Sequence, residues 1–174
     1  MRPVLSGSEW QEVGKNGSNS QLMSPMFRGQ FLHTIDAKGR VSLPARYREA
    51  IASAASPCLV ITPAPFEPCL HVYPLDEWER FENKISEFSN WDDDVVRFRR
   101  LYVSAAIECE VDRTGRVLVP QHLREKAELE KDVLWAGMGR IAEMWSKARW
   151  DEALSMTNEQ QAAFRRAVME TIRI

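Results

Sequence analysis

Phe31, His33 and Ile35 recur at a period of two on one face, which predicts a strand. Asp36-x-x-Gly39 follows as a turn, and a second strand runs from Arg40 to Leu43. Pro44 suits the first turn of a helix, where its missing N–H costs nothing. Tyr47 and Ile51 lie four apart and would share that helix's inward side. Further strands are predicted at 58–62 and up to Tyr73. The period then changes. Trp78, Phe81, Ile85 and Phe88 mark one face of a helix, which Asp76-x-x-Glu79 would open as a capping box. Asp92-Asp93-Asp94 favours a second helix start, with Val95, Phe98, Tyr102 and Ala105 on one face and Arg97, Arg99 and Arg100 around the rest. Strand patterns return at 107–111, 133–136 and up to Trp145. A last helix starts near Thr157-x-x-Gln160 and carries Phe164, Val168 and Ile172 in a stripe. These stripes read as core or helix–helix contacts rather than ligand sites.

The pattern contains a repeat. Asp36-Ala37-Lys38-Gly39-Arg40-Val41-Ser42-Leu43-Pro44 aligns with Asp112-Arg113-Thr114-Gly115-Arg116-Val117-Leu118-Val119-Pro120, an offset of 76 residues. Arg48-Glu49 matches Arg124-Glu125 at the same offset, and Tyr73 and Trp78 match Trp145 and Trp150 at an offset of 72. Each copy is too small for a large core of its own, so a shared core is expected.

The expected organisation is a tail at 1–25, a first module at 26–77, a helical linker at 78–104, a second module at 105–150 and a C-terminal helical segment at 151–174. Ser, Gly and Pro supply ten of the first 25 residues, the apolar ones have no period, and the segment reads as disordered. It lacks an apolar run of signal-peptide length, and no stretch of 18 apolar residues exists to span a membrane. Cys58, Cys69 and Cys109 form no CxxC pair and are expected to be reduced, buried thiols.

Candidate chemistry centres on Asp36-x-x-Gly39-Arg40 and its copy. A short Asp at a turn accepts backbone N–H groups two or three residues on. Gly supplies positive φ without steric cost. Val41 and Leu43 then face inward, which projects Arg40 outward, where Asp36 is placed to hold its guanidinium. Asp112, Gly115 and Arg116 repeat the device. Pro44 and Pro120 act as structural turn residues beside Gly39 and Gly115. Turn chemistry requires Asp and Gly but not Arg, so the repeated Arg points to binding. The formal charge of −2 gives no general evidence for a polyanionic partner, but its distribution is uneven. Residues 28–48 carry +4 (Arg28, Lys38, Arg40, Arg46 and Arg48 against Asp36), residues 113–126 carry +3, and residues 76–94 carry −6. Arg reads guanine or clamps phosphate in a fixed fork, and repeated patches gain through effective concentration.

Enzyme fingerprints are missing: there is no GxSxG elbow, P-loop, HExxH or dinucleotide glycine motif. His33, His71 and His122 are dispersed, and His33 lies on the apolar strand face. A metal site built from these with Cys69 or Cys109 would need tertiary proximity, so neither metal nor cofactor is expected. A ring-forming protein scaffold that touches DNA incidentally is the alternative class.

Met26-Phe27-Arg28-Gly29, then Asp36-x-Lys38-Gly39-Arg40-x-Ser42-x-Pro44-x-x-Tyr47-Arg48, closely resembles the start of MraZ proteins. The second copy, with Val133, Gly137, Glu143-Met144-Trp145 and Trp150, is similar to that family too. The resemblance covers roughly residues 26–155. It implies an α+β fold of duplicated AbrB-like swapped-hairpin β modules with a double-ψ β-barrel-like core. It implies a cytoplasmic, nucleoid-associated bacterial regulator, read here as a repressor. Such proteins bind double-stranded DNA at direct repeats upstream of a division and cell-wall gene cluster, and form closed homo-oligomeric rings. The family's DxxxR motif falls on Asp36 with Arg40 and on Asp112 with Arg116. The DNA-binding set expected is Arg28, Asp36, Lys38, Arg40, Asp112 and Arg116.

Overall fold

A computed structural model describes residues 27–52 and 57–172. The expected tail at 1–25 lies outside the described residues. Eight strands and six helices follow in chain order: β1 (Gln30–Thr34), β2 (Arg40–Ser42), α1 (Ala45–Ile51), β3 (Cys58–Pro63), β4 (Cys69–Pro74), α2 (Leu75–Ser86), α3 (Asp93–Phe98), β5 (Ile107–Glu110), β6 (Arg116–Leu118), α4 (Gln121–Lys126), β7 (Asp132–Gly137), β8 (Ala142–Ser146), α5 (Lys147–Leu154) and α6 (Asn158–Ile172). The chain is therefore α+β, with strands in antiparallel sheets.

The two copies are interleaved. One sheet has the order β1-β7-β8-β4-β3-β5, so the first strand of each copy leaves its own half and pairs with the other. β1 lies on β7, with His33 opposite Val133, and β5 lies on β3, with Cys109 opposite Leu59. The short strands β2 and β6 pair with each other in a separate two-stranded ribbon, and single bridges, Ile35 to Val41 and Val111 to Val117, tie each to the end of its own copy's first strand. Val41 stands opposite Val117, its own repeat equivalent, so a pseudo-twofold axis passes through this ribbon. Two hydrogen bonds repeat across it: Leu43 N–H to Gly115 O at 2.9 Å and Val119 N–H to Gly39 O at 2.8 Å. Neither half can close its sheet alone.

The core is accordingly shared. Val41, Tyr47, Leu59, Ile61 and Leu70 from the first copy pack with Val117, Leu123, Val133, Trp135 and Met144 from the second, all buried. Burial of an apolar side chain contributes about 1.5–3 kcal/mol. That gain requires strands from both halves, which is the physical reason the copies interleave. The downstream pairs match as well. Tyr73 meets Trp78 edge-on at 5.2 Å, and their equivalents Trp145 and Trp150 meet edge-on at 5.7 Å.

Three expectations need correction. Asp76-x-x-Glu79 is not a capping box: α2 begins at Leu75, two residues earlier than that box requires, with Pro74 at the cap position and no side-chain cap. Pro74 already fixes the entry angle, and the first-turn acids favour the helix dipole and form ion pairs instead, Asp76 and Glu77 with Arg80 and Glu77 also with Arg140. Ala105 does not complete the stripe of α3, because Arg99–Val103 winds as a π-helical stretch. The wider turn shifts the inward side, so Val103 and Ala106 pack against the buried cluster of Val60, Tyr73, Trp78 and Tyr102 instead. Of the two readings of the α6 stripe, core or helix–helix contact, the first fails: Phe164 and Ile172 are both more than half exposed. Thr157 does cap α6, its Oγ1 accepting Gln160 N–H at 3.2 Å while Gln160 Oε1 accepts Thr157 N–H at 2.8 Å.

Candidate nucleic-acid interface

The ribbon β2–β6 has two faces. Val41 and Val117 point inward and are fully buried. Opposed residues of an antiparallel pair share a face, and the register places Arg40 opposite Leu118 and Ser42 opposite Arg116. The outer face thus presents Arg40, Ser42, Arg116 and Leu118 together. Leu118 is 54% exposed, a large apolar residue held in solvent between two arginines.

Each arginine is held by the turn that precedes it. Asp36 Oδ1 accepts the N–H of Lys38 at 2.9 Å and of Arg40 at 3.0 Å. Its Oδ2 accepts Arg40 Nε at 2.8 Å and lies 2.7 Å from Nη2. Asp112 repeats the arrangement: Oδ1 takes Thr114 N–H at 2.8 Å and Arg116 N–H at 3.0 Å, and Oδ2 takes Arg116 Nε at 3.2 Å. The backbone N–H and guanidinium of Arg40 hold the Asp36 carboxyl down at about 2. The hydroxyl of Thr114, then the N–H of Arg116, lower Asp112 still further. Both carboxylates are ionised at neutral pH, and each fixes one edge of a guanidinium. A guanidinium has five N–H donors, so among the described residues Nη1 of Arg40 and a hydrogen of Nη2 are left for a ligand.

Gly39 and Gly115 occupy left-handed positions at φ +85° and +75°. They also seat arginines from the opposite copy, one the repeat equivalent of the other. A Cβ on Gly39 would stand 2.9 Å from Arg124 Nε, and a Cβ on Gly115 would stand 2.5 Å from Arg48 Nη1. Arg124 is fixed there by donating to Val119 O at 3.1 Å. Pro44 and Pro120 hold the cap positions of α1 and α4, which carry Arg48 and Arg124 to these glycines.

The structure therefore brings together Asp36, Lys38, Arg40, Asp112 and Arg116 with the turn residues Gly39, Gly115, Pro44 and Pro120. It adds Arg48 and Arg124, which the motif alone did not place at the corners. The signal for them was the extension of the repeat past the prolines. Arg28 is not among them. It lies beyond the opposite end of β1, beside the Phe27–Gly139 bridge. Arg28 and Asp36 lie eight positions apart along the chain with β1 between them, at most about 27 Å at strand rise. His33 faces partly inward, and burial followed by the charge of Arg48 lowers its pKa, so it is neutral at pH 7.

The arrangement has no nucleophile–base pair and reads as a recognition surface.

The family model described as "MraZ protein, putative antitoxin-like" matches residues 26–101 and 103–170. The chain is similar to the "Transcriptional regulator MraZ" of Syntrophobacter fumaroxidans, 43% identical over 135 residues, which covers 78% of this chain and 89% of that protein. It is similar to the protein of the same name from Heliobacterium modesticaldum, 43% identical over 147 residues, covering 84% and 96%. A third relative so named, from Carboxydothermus hydrogenoformans, is 42% identical over 139 residues, covering 80% and 92%. Both arms of the repeat lie inside the matched residues, and the chain belongs to the MraZ family.

Proposed function

We propose that this chain is a DNA-binding transcriptional regulator, not an enzyme, and that it reads double-stranded DNA with the β2–β6 ribbon. The single observation that carries the reading is the ribbon's outer face, where two carboxylate-clamped arginines stand related by a pseudo-twofold axis. A clamped guanidinium gives up little conformational freedom on binding, and its free edge matches the O6 and N7 acceptors of guanine. Lys38, Arg48, Arg113 and Arg124 supply the surrounding charge for phosphate. The names of the relatives support the regulatory role.

The finer reading is repression at direct repeats upstream of a division and cell-wall gene cluster. In it a closed ring of copies presents several ribbons to successive repeats, in the cytoplasm and on the nucleoid. Each extra ribbon engaged raises avidity through effective concentration. A scaffold role is the second reading, favoured by the exposed Phe164, Met169 and Ile172 of α6.

Titration of the DNA directly upstream of the gene, beside unrelated DNA and at two salt concentrations, tests the proposal. Arg40→Ala and Arg116→Ala should each weaken specific binding, by about 1–3 kcal/mol for a lost bidentate base contact. Arg48→Ala should lower the salt slope by about one and affect both DNAs alike. Arg40→Ala that binds like wild type in a folded protein refutes the ribbon reading and favours the scaffold.

A further inference from the structure

We propose that Cys69, His71 and Glu143 form a binding site for a divalent transition-metal ion of the zinc class, built from both copies of the repeat. Cys69 and His71 lie on β4, two residues apart and so on one face, and His71 stands directly opposite Glu143 on β8. One ligand atom from each of the three lies within 4.8 Å of the other two. Among the described residues, no other group of three such side chains converges in this way.

Two further contacts point to a built site rather than chance proximity. His71 Nδ1 lies 2.6 Å from Tyr102 Oη, which lies 2.7 Å from Tyr73 Oη. With Nδ1–H donating along this chain, the Nε2 lone pair is left for a metal. Glu143 Oε2 accepts Trp145 Nε1–H at 2.9 Å, which leaves Oε1 toward His71. Outer partners of this kind orient histidine and carboxylate ligands in metal sites. The Nε2 to Oε1 separation is 3.8 Å. That is too long for a hydrogen bond, but two bonds of about 2.0–2.2 Å to one ion span it.

The donor set selects the metal. A thiolate, an imidazole and a carboxylate suit zinc, and three protein ligands leave a fourth position for water. Cys69 is buried while His71 and Glu143 keep some exposure, so the ion has an entry side. On binding, the Cys69 S–H bond breaks, a sulfur–metal bond forms, and the proton leaves to solvent. Cys69 and His71 come from the first copy, Glu143 from the second, and Tyr102 from the segment between them. A bound ion would therefore tie β4 to β8 across the junction of the halves.

The full chain, stripped with a chelator and reloaded with zinc or cobalt(II) alone, tests this. One equivalent per chain should bind. Cobalt should give a thiolate charge-transfer band, and zinc should raise the unfolding temperature. His71→Gln and Glu143→Gln should weaken zinc binding at least tenfold, and Cys69→Ser should abolish the cobalt band. Tyr102→Phe, which keeps the ring, should weaken binding about tenfold. Cys58→Ser and His122→Gln should bind like wild type. Both His71 and Glu143 are partly exposed, so their variants carry the test if Cys69→Ser fails to fold. A wild type that takes up no stoichiometric metal overturns the assignment, as does binding that is indifferent to His71→Gln and Glu143→Gln.

Discussion

Gly39 and Gly115 are repeat equivalents, yet alanine should cost more at the first. Both residues sit at positive φ, +85° and +75°, so alanine at either pays left-handed strain of about 1–2 kcal/mol. The surroundings differ. At Gly115 the new Cβ meets Arg48, with Cδ and Nη1 both at 2.5 Å. These atoms end a long exposed side chain, which can swing into solvent. At Gly39 the Cβ meets Val119 O at 2.9 Å as well as Arg124 Nε at 2.9 Å. That oxygen belongs to the backbone and itself accepts Arg124 Nε–H at 3.1 Å. Val119 N–H in turn donates to Gly39 O at 2.8 Å. Relief requires Val119 to move and these bonds to loosen, each worth about 0.5–1.5 kcal/mol. Gly39→Ala should therefore cost about 2–5 kcal/mol and Gly115→Ala about 1–2 kcal/mol. In a chain of this size each kcal/mol moves the unfolding temperature by about 2–4 °C. Urea denaturation followed by circular dichroism, at fixed protein concentration, measures both. Asparagine separates strain from crowding, because it tolerates the left-handed region but still brings a Cβ. Gly115→Asn should recover most of its loss and Gly39→Asn little. Equal losses, or rescue by asparagine at both positions, would refute the reasoning.

Acid should act on the corners. Asp36 and Asp112 have folded pKa values below the unfolded value of about 3.9, so their stabilisation is complete above about pH 5 and is lost as pH falls toward 2. Denaturation midpoints of wild type should approach those of Asp36→Asn/Asp112→Asn across that window, and a constant gap would contradict the clamp. Asp92 caps α3 by accepting Asp94 N–H at 3.0 Å and Val95 N–H at 3.2 Å, so Asp92→Ala should cost about 1 kcal/mol in the same assay. Cys58 and Cys109 are buried, and burial raises both thiols, Cys109 to about 11. Neither should be alkylated in native protein at pH 7.5, as mass spectrometry after a timed iodoacetamide pulse would show; prompt labelling would mean that β3 and β5 open readily.

Much of the site was legible because its parts are local. Asp36 reaches only two to four residues along to Lys38 and Arg40, and Gly39 is required by a turn that closes on itself. The period-two alternation that buried Val41 and Val117 also turned Arg40 and Arg116 outward, and Tyr47, Ile51, Leu123 and Ala127 fell where helical spacing put them. The duplication itself was visible by alignment of the chain with itself. Helix details were less secure: Pro74 overrode the acidic capping pattern, and beyond the π-helical stretch that follows α3 the inward position moved from Ala105 to Ala106.

What the sequence by itself determined, then, was the set of strands and turns, their twofold repetition and the residues each turn presents. Only the tertiary structure decided which strand lies beside which. Hairpin pairing within a copy and exchange between copies satisfy the same local pattern, and the choice depends on burying one shared core across some 76 residues of intervening chain. From that exchange follow the facts that no local pattern holds: Arg48 and Arg124 seated on the opposite copy's glycines, Arg28 left at the far end of β1, and Glu143 carried next to Cys69 and His71. Each of these brings together residues distant in sequence, whose meeting is set by the packing of whole strands rather than by the conformational preference of any one of them.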